Sequence, residues 1–195
     1  MKKVITFGNG SQELVDISPV TVEIPIKYFD TSLPELGAVG GKSDWIDLYS
    51  RVTMFIVEGT FTYIPLNVAM ALPDGYEAHI VPRSSTFKNW GLIQTNHHGV
   101  VDGPYCGDND EWMMPVYCVP GYGRQWAYKT KDGLQVVNDL KEVPEGEVPV
   151  KGTFVMAGDR VCQFRIDEHM APISFREVPH LTGKDRGGFG TTGKA

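Results

Sequence analysis

Residues Gly158–Ile166, with the sequence GDRVCQFRI, have the pattern of a β-strand that follows a tight turn. Side chains alternate along a strand, so Cys162, Phe164 and Ile166 point to one face of this segment. Gln163 points to the opposite face, away from the more apolar side. The segment therefore predicts a strand that packs one face against a core and leaves Gln163 on the other.

Short runs of the same kind recur along the chain, rich in β-branched and aromatic residues and bounded by Gly, Pro, Asp or Asn. This pattern is typical of a sandwich or jelly roll and not of alternating strands and helices. One short helix is predicted over Arg83–Trp90, because serine is a good N-cap and Gly91 a good residue after the last turn. The predicted strands are Val20–Ile26, Trp45–Tyr49, Thr53–Val57, Thr60–Leu66, Glu77–Val81, Trp112–Val119, Thr153–Met156, Val161–Ile166 and Ile173–Val178.

The composition fits one domain of ordinary size with a conventional core. Of the 195 residues, 42% are hydrophobic and 22% charged, while 22 glycines and 13 prolines favour many turns over long helices. The net charge of -6 and the lack of a basic stripe argue against nucleic acid as a partner. A small anionic ligand is compatible with this charge if a few local cations or a metal ion supply positive potential.

The cysteines Cys106, Cys118 and Cys162 have neither CxxC spacing nor a paired framework, so we expect free thiols in a reducing compartment. The apolar run that follows Met1 is too short for a signal peptide, and no later run approaches membrane-spanning length. We therefore expect a soluble, cytoplasmic protein that does not act at a membrane.

Two segments differ from the rest of the chain. Residues 120–150 form an inserted excursion, which we assign to a hairpin with its turn at Lys131–Gly133. Residues 183–195 contain five glycines and one large apolar side chain, Phe189, so they cannot form a core of their own. We expect a domain of residues 1–182 that includes the inserted hairpin, followed by a flexible arm of residues 183–195 that closes over a site.

Several segments carry groups suited to anion binding and to acid–base chemistry. Arg83–Ser85 offers a guanidinium group and two hydroxyl groups, which suit phosphate. Asn96–Asp108 reads as two short extended arms around a Gly-Pro turn, with Asp102 and Tyr105 close to that turn. Gly158–Gln163 adds a turn that enters a strand, and its Asp-Arg pair is predicted to be a structural ion pair.

Together these motifs make the chain resemble the trimeric dUTPases, which hydrolyse dUTP to dUMP and pyrophosphate. The resemblance runs from Ile46–Leu48 through Pro82–Ser85, Asn96–Gly107 and Gly158–Gln163 to Arg186–Gly193, about three quarters of the chain. It implies an all-β fold of the distorted jelly-roll or β-clip type with one short helix, assembled as a homotrimer with composite active sites. It also implies Mg²⁺ as cofactor, and a role in limiting uracil in DNA and supplying dUMP for dTMP synthesis.

The resemblance implies a role for each residue of the hairpin. Asp102 would act as general base on a water that attacks the α-phosphorus in line, a task that needs fixed geometry. Tyr105 would lie against the deoxyribose and leave no room for a 2′-hydroxyl. Asn96 and the backbone at Gly99 and Val101 would satisfy the uracil edge, and a narrow hairpin would exclude the thymine methyl and the cytosine amino group.

The resemblance also implies a phosphate-binding group. Arg83 would be one of the catalytic residues and would bind phosphate oxygens. Ser84 and Ser85 would add neutral hydrogen-bond donors. Gln163 would bind near the α-phosphate and orient the attacking water. Asp47 would reach Mg²⁺ through water, because this ion keeps several waters when it bridges phosphates.

The arm would complete the site by stacking Phe189 on the uracil and covering the terminal phosphates. Lys184 stands where the family usually has an arginine, so the contact with the γ-phosphate falls to either Lys184 or Arg186. The substrate-binding residues of the arm would be Arg186, Phe189, Gly190, Thr191 and Thr192.

Two other functions are compatible with these motifs. A dCTP deaminase, or a bifunctional deaminase-dUTPase, would share the fold and the Arg-Ser-Ser motif, and would release ammonia from dCTP. A trimer that senses a nucleotide or binds a partner without hydrolysis would bind dUTP and release no pyrophosphate; the 120–150 hairpin would be its contact surface.

Overall fold

The structure is a computed structural model that describes residues 2–6, 8, 10–16, 21–37 and 43–183. Within these residues strands predominate, joined by one α-helix, α1 (Thr86–Trp90), and one 3-10 turn, Leu140–Glu142. No helix among them is long and apolar enough to cross a membrane. The strands are β1 (Lys2–Thr6), β2 (Gln12–Asp16), β3 (Ile26–Tyr28), β4 (Ile46–Tyr49), β5 (Met54–Val57), β6 (Phe61–Pro65), β7 (Val68–Met70), β8 (Tyr76–Pro82), β9 (Leu92–Gln94), β10 (Gly99–Val101), β11 (Met113–Cys118), β12 (Gln125–Thr130), β13 (Gly133–Val137), β14 (Val150–Val155) and β15 (Arg160–Glu168).

The described strands pair in antiparallel fashion and form three larger sheets and two small ones. The larger sheets have the strand orders β10-β8-β15-β4, β6-β11-β9 and β13-β12-β14-β5. The small sheets pair β1 with β2 and β3 with β7. This is the all-β, jelly-roll-like architecture that the sequence predicts, with one short α-helix in the described part of the chain.

One hydrophobic cluster draws side chains from all three larger sheets. Phe164 comes from the first sheet, Met114 from the second and Val155 from the third, and all three are buried. Trp112 packs edge-on against Phe164, with ring centroids 5.3 Å apart. Full burial of such a side chain contributes about 1.5–3 kcal/mol, so this cluster fixes how the sheets lie against one another.

Strand β15 lies at the centre of the first sheet and sets its register. Gln163 is opposite Val81 of β8 on one side and Asp47 of β4 on the other. A register shift between Arg160 and Cys162 marks the start of the strand. The predicted alternation is confirmed, because Gln163 lies on the partly exposed face between two buried neighbours.

The predicted helix is present but begins three residues later than expected. Arg83–Ser85 form a turn, and α1 ends at Gly91, whose φ of 65° is the left-handed conformation that glycine favours. Ser85 makes no side-chain cap. The start of the helix is held instead by Thr86, whose buried hydroxyl donates to the Val161 carbonyl at 2.8 Å. Thr86 therefore joins the turn to the start of β15.

Two of the predicted strands are wrong. Ile173–Val178 forms no ladder within the described residues, and Phe175 is 94% exposed, so the apolar run has no neighbour to pair with. In the described part of Val20–Ile26, only Ile26 belongs to a strand. Pro25, directly before it, has no N–H for a ladder.

Some strands were not predicted from the sequence. The β1-β2 hairpin and the short strands β7, β9 and β10 were missed as separate elements, although the turn before β10 lies in the predicted Asn96–Asp108 hairpin region. Within residues 120–150, β12 and β13 form a hairpin around Lys131 and Asp132. Three-residue strands carry too few side chains for a period of two to be visible.

The buried carboxylate of Glu111 joins its own segment of the chain to the segments that contain Arg51 and Asn67. Glu111 is 5% exposed and accepts two hydrogen bonds from Arg51, at 2.7 and 2.9 Å, and one from the Asn67 backbone N–H at 3.0 Å. The hydrogen bond with Glu111 raises the pKa of the Arg51 guanidinium. Paired and bonded in this way, the charge of Glu111 is compensated inside the fold.

Arg51→Met should destabilise the fold, because it leaves the Glu111 carboxylate buried without its cation. We expect the free energy of unfolding to fall by about 3–5 kcal/mol, measured by urea denaturation. Arg165→Met is the matched control, since the Arg165–Asp167 pair is partly exposed, whereas Glu111 is buried, and should be worth about 1 kcal/mol or less. Equal losses in the two variants would contradict the role given to Glu111.

Candidate active site

A cavity of about 280 Å³ opens beside the predicted hairpin. Strand β10 pairs with β8 along one wall, and the turn after β10 brings Asp102 and Tyr105 to its edge. The Tyr105 backbone N–H donates to the Asp102 carbonyl at 3.0 Å, which closes that turn. The lining residues are Ile80, Asn96, Gly99, Val100, Val101, Asp102, Tyr105, Trp112 and Met113. Every residue of the hairpin predicted to bind substrate or to catalyse is in this lining.

The ring of Tyr105 is held from its hydroxyl end. The hydroxyl donates to the Glu111 carbonyl at 3.2 Å. Burial raises the pKa of the Tyr105 phenol, and the nearby carboxylates of Asp110 and Glu111 raise it further. The phenol therefore keeps its proton at neutral pH and remains a donor, so the ring is anchored at the edge of the cavity.

Two side-chain amides lie next to each other at the cavity wall: Asn96, which lines the cavity, and the buried Gln94. The Gln94 side-chain N–H group donates to the Ile80 carbonyl at 3.0 Å and to the Asn96 side-chain oxygen at 2.8 Å. A Cβ atom on Gly99 would lie 3.4 Å from each of the two amide nitrogens and 3.3 Å from Ile80. Glycine at position 99 therefore leaves the room that this pair of amides occupies.

A second group of polar side chains lies on the outer face of the first sheet. Asp47 accepts from Arg83 at 2.7 Å and from Arg160 at 3.2 Å, and Arg83 also donates to the Arg160 carbonyl at 3.4 Å. Gln163 is opposite Asp47 in the ladder. Two cations around one carboxylate leave a local positive charge, which is what an anionic ligand needs on a chain with a net charge of -6.

The turn that carries Arg83 is anchored close to this group. Ser84 is exposed at the turn, while the following Thr86 is buried and bonded to the start of β15. Thr86 was not recognised from the sequence, since a threonine beside two serines gives no separate signal. The Ser84 hydroxyl thus lies on a surface available to a ligand, whereas the Thr86 hydroxyl anchors the turn.

Arg160 was also missed from the sequence, because it was assigned to a structural ion pair with Asp159. That assignment is wrong: Arg160 bonds to Asp47, and Asp159 accepts from the Met156 backbone N–H at 2.8 Å within the turn. The register of β15 against β4 carries the information, since it places Arg160 at the end of the strand that contains Asp47.

Within one chain, Asp102 and the arginine group lie at opposite ends of β8. Val101 is opposite Ala78, and one further step along this register puts Asp102 opposite Glu77, whereas Arg83 follows the end of β8. Six residues of strand separate the two positions, a distance of about 20 Å. The described residues of one copy therefore hold two separate half-sites.

Neither half-site contains a dense set of metal ligands. Among the residues that the structure describes, no group of three or more His, Cys, Asp or Glu side chains is placed to hold a metal ion. Both carboxylate oxygens of Asp47 already accept from arginines. Asp47 therefore fits an ion that is held mainly by phosphate oxygens and water, and does not fit a metal bound by protein ligands alone.

The two buried cysteines do not contribute a nucleophile to either half-site. Cys106, Cys118 and Cys162 are unpaired in the structure. Burial raises the pKa of the Cys162 thiol, directly before Gln163, and raises that of Cys118 to about 11. Both buried thiols are thus neutral at physiological pH.

The predicted residues of the arm lie outside the described part of the chain. They are Lys184, Arg186, Phe189, Gly190, Thr191 and Thr192.

Comparison with known proteins identifies the family. A family model for dUTPase matches residues 45–110, a span that includes Asp47, Arg83 and Asp102. The SPbeta prophage-derived deoxyuridine 5'-triphosphate nucleotidohydrolase YosS of Bacillus subtilis is 40% identical over 172 residues, which cover 88% of this chain and 99% of that protein. The deoxyuridine 5'-triphosphate nucleotidohydrolase of Thermobifida fusca is 31% identical over 188 residues, covering 94% of this chain and 87% of that one.

Solved structures show the same fold. A dUTPase mutant of Staphylococcus bacteriophage 80alpha with dUpNHpp matches with a TM-score of 0.65 at 16% identity, over 89% of this chain and 99% of that one. The dUTPase of Streptococcus mutans matches with a TM-score of 0.52 at 17% identity, over 76% of this chain and 98% of that one. With 40% identity to a curated relative along nearly its whole length, the chain belongs to the dUTPase family.

Proposed function

We propose that the chain hydrolyses dUTP to dUMP and pyrophosphate, which limits uracil in DNA and supplies dUMP for dTMP synthesis. The observation that carries this proposal is the pairing of two half-sites. One is a base-sized cavity with Asp102 at its edge, and the other is a cationic group at Arg83 and Arg160 that suits a triphosphate. The relatives that share most of the chain are named for the same reaction.

The cavity suits a deoxyuridine. Its lining offers the Asn96 side chain and the backbone of Gly99 and Val101 as hydrogen-bonding groups for the uracil edge. The face of Tyr105, held by its hydroxyl, would lie against the deoxyribose and exclude a 2′-hydroxyl. A wrong base would leave these hydrogen-bonding groups covered and unpaired, which discriminates more strongly than an apolar wall does.

The two half-sites of one copy are too far apart to act on one nucleotide, so a neighbouring copy supplies the missing half. We therefore propose a homotrimer in which the hairpin of one subunit faces the arginine group of the next. The outer face of the β6-β11-β9 sheet supports such an assembly. It exposes a contiguous set of apolar side chains, continuous with the cavity through Met113, that soluble monomers rarely leave in water: Phe61, Tyr63, Ile93 and Met113.

The reaction needs a fixed base and a fixed water. Asp102 accepts the proton of the water that attacks the α-phosphorus, and Gln163 of the facing subunit orients that water. The bond from the α-phosphorus to the bridging oxygen breaks, and pyrophosphate leaves with that oxygen. Arg83, Arg160 and Ser84 hold the phosphate oxygens on which negative charge develops.

A Mg²⁺ ion fits the arrangement at Asp47. The ion would be held by phosphate oxygens and, through water, by Asp47, and would neutralise part of the triphosphate charge. A structural Mg(II) ion is described in a mutant dUTPase of Staphylococcus aureus phage phi11. With its unpaired thiols, the chain suits a reducing compartment, and we place the enzyme in the cytoplasm.

The C-terminal arm would complete the active site formed by the two half-sites. Residues 183–195 form the segment that closes over the bound nucleotide, and its closure excludes water from the phosphates. Phe189 stacks on the uracil, and the polar side chains of the arm cover the terminal phosphates, with Lys184 or Arg186 on the γ-phosphate. Gly190, Thr191 and Thr192 supply the remaining contacts.

Asp102→Asn should abolish turnover while leaving nucleotide binding largely intact, because the amide cannot accept the proton of the attacking water. We expect kcat for pyrophosphate release from dUTP to fall by about 100-fold to 10,000-fold. Asp108→Asn is the matched control: the same change, six residues along the chain, at a carboxylate that is almost fully exposed. Assaying dCTP for ammonia in the same series tests the deaminase alternative. Undiminished turnover in Asp102→Asn would overturn the assignment of the base.

Two inactive variants should restore each other if sites are shared between subunits. Asp102→Asn and Gln163→Ala are co-expressed with different tags, and mixed trimers are purified through both tags. In every mixed trimer one of the three sites combines an intact hairpin with an intact Gln163, so about a third of the wild-type activity should return. A site built within one chain would give no recovery.

Truncation before Gly183 should remove activity without dissociating the trimer, because the arm covers the nucleotide and does not build the core. Light scattering checks the mass of the assembly, and a dUTP titration separates lost affinity from lost turnover. A truncated chain that hydrolyses dUTP at the wild-type rate would rule out the role of the arm.

A further inference from the structure

Gln94 lies at the end of β9, behind the wall of the cavity. It is 3% exposed and contacts two lining residues through hydrogen bonds, the Ile80 carbonyl and the Asn96 side chain. The backbone around it is also fixed, since the His97 N–H donates to the Gln94 carbonyl at 3.2 Å. Gln94 was not identified from the sequence as a site residue.

The direction of these hydrogen bonds is set by the backbone. A carbonyl oxygen can only accept, so the Gln94 amide must turn its nitrogen towards Ile80. The same nitrogen also faces Asn96 at 2.8 Å, and Asn96 must therefore turn its oxygen towards Gln94. The Ile80 carbonyl on β8 thus fixes the orientation of the Gln94 amide, and the Gln94 amide in turn fixes that of Asn96. The Asn96 oxygen faces Gln94, and the Asn96 nitrogen is the end that points away.

The end that remains is the Asn96 amide nitrogen, a donor. This nitrogen lies 3.4 Å from the place that a Cβ of Gly99 would occupy, and both residues line the cavity. This arrangement leaves the Gln94 side-chain oxygen, an acceptor, buried and without a partner in the part of the chain that the structure describes. An unpaired buried acceptor is unfavourable for folding, so packing alone does not account for a glutamine here.

We propose that Gln94 is a positioning residue that fixes Asn96 as a hydrogen-bond donor and thereby makes the cavity prefer uracil to cytosine. The inference rests on the proposed function of the cavity. At the position where uracil has its O4 carbonyl, an acceptor, cytosine has an amino group, a donor. A fixed donor on Asn96 would form a hydrogen bond with the uracil O4 carbonyl, whereas with cytosine two donors would face each other.

Gln94→Met tests this inference, because methionine keeps the length of the side chain and removes both hydrogen bonds. Asn96 is then free to present either end of its amide. We expect the ratio of the dissociation constants for dCMP and dUMP, measured by calorimetry, to fall by about 10-fold to 100-fold. Turnover of saturating dUTP should change little, since Gln94 touches no reacting atom.

Gln94→Glu should change the preference further. A glutamate carries at most one donor proton, which the Ile80 carbonyl takes, so Asn96 would turn its nitrogen towards residue 94 and its oxygen towards the cavity. The dCMP-to-dUMP ratio should therefore be lower than in Gln94→Met. Thr153→Val is the matched control: it removes another buried polar group that has no partner among the described residues, in a different sheet, and should leave the ratio unchanged.

A measurement on the unmodified chain covers the case in which the variants do not fold. In nitrogen-15 NMR spectra, the side-chain amide protons of Gln94 should exchange slowly with water. Those of Asn96 should shift on addition of dUMP and much less on addition of dCMP. Rapid exchange at Gln94, equal shifts with both nucleotides, or a folded Gln94→Met with an unchanged ratio would each overturn the inference.

The proposed role of Gln94 and the proposed hydrolysis of dUTP can fail independently of each other. Wild-type chain that binds dUMP selectively but releases no pyrophosphate from dUTP would refute the proposed hydrolysis and leave Gln94 in its role. Wild-type hydrolysis of dUTP with an unchanged ratio in Gln94→Met would do the reverse.

Discussion

The pairing of β8 with two different neighbours is the constraint on which the functional layout depends. Strand β10 pairs with the middle of β8, Ala78–Ile80, and continues into the turn of Asp102, while β15 pairs along the whole length of β8 and brings Gln163 near Arg83. A one-residue slip in either ladder would exchange the faces of the sheet. The same pairing that builds the two half-sites also keeps them about 20 Å apart in one copy.

Both half-sites are held in shape by protein groups before any ligand arrives. Tyr105 is fixed through its hydroxyl to Glu111, whose carboxylate in turn binds Arg51. Asp47 holds Arg83 and Arg160 close together and gives an acidic chain a local cationic surface. Groups that are already oriented lose less entropy on binding, which favours a tight and selective fit.

How much the sequence could predict depended on the range of the interaction. The end of α1 at Gly91 and the turn at Gly103–Pro104 follow from local conformational preferences, and both predictions were right. Of the two extended arms predicted around that turn, only Gly99–Val101 is a strand, and it pairs with β8. The strand predicted over Ile173–Val178 failed because a strand needs a partner, which the run itself does not specify. The partners of Arg160 and the hydrogen bonds of Gln94 join residues that are distant in the chain or that form no known motif.

The distance between the two half-sites has a consequence for how the activity would respond to gene expression. If no single copy can engage both ends of a nucleotide, a newly synthesised chain is inert until it meets others. Catalysis would then rise more steeply than linearly with the amount of chain, and would be negligible at low abundance. Cells would experience a threshold, set by association of the chains and not by any regulator.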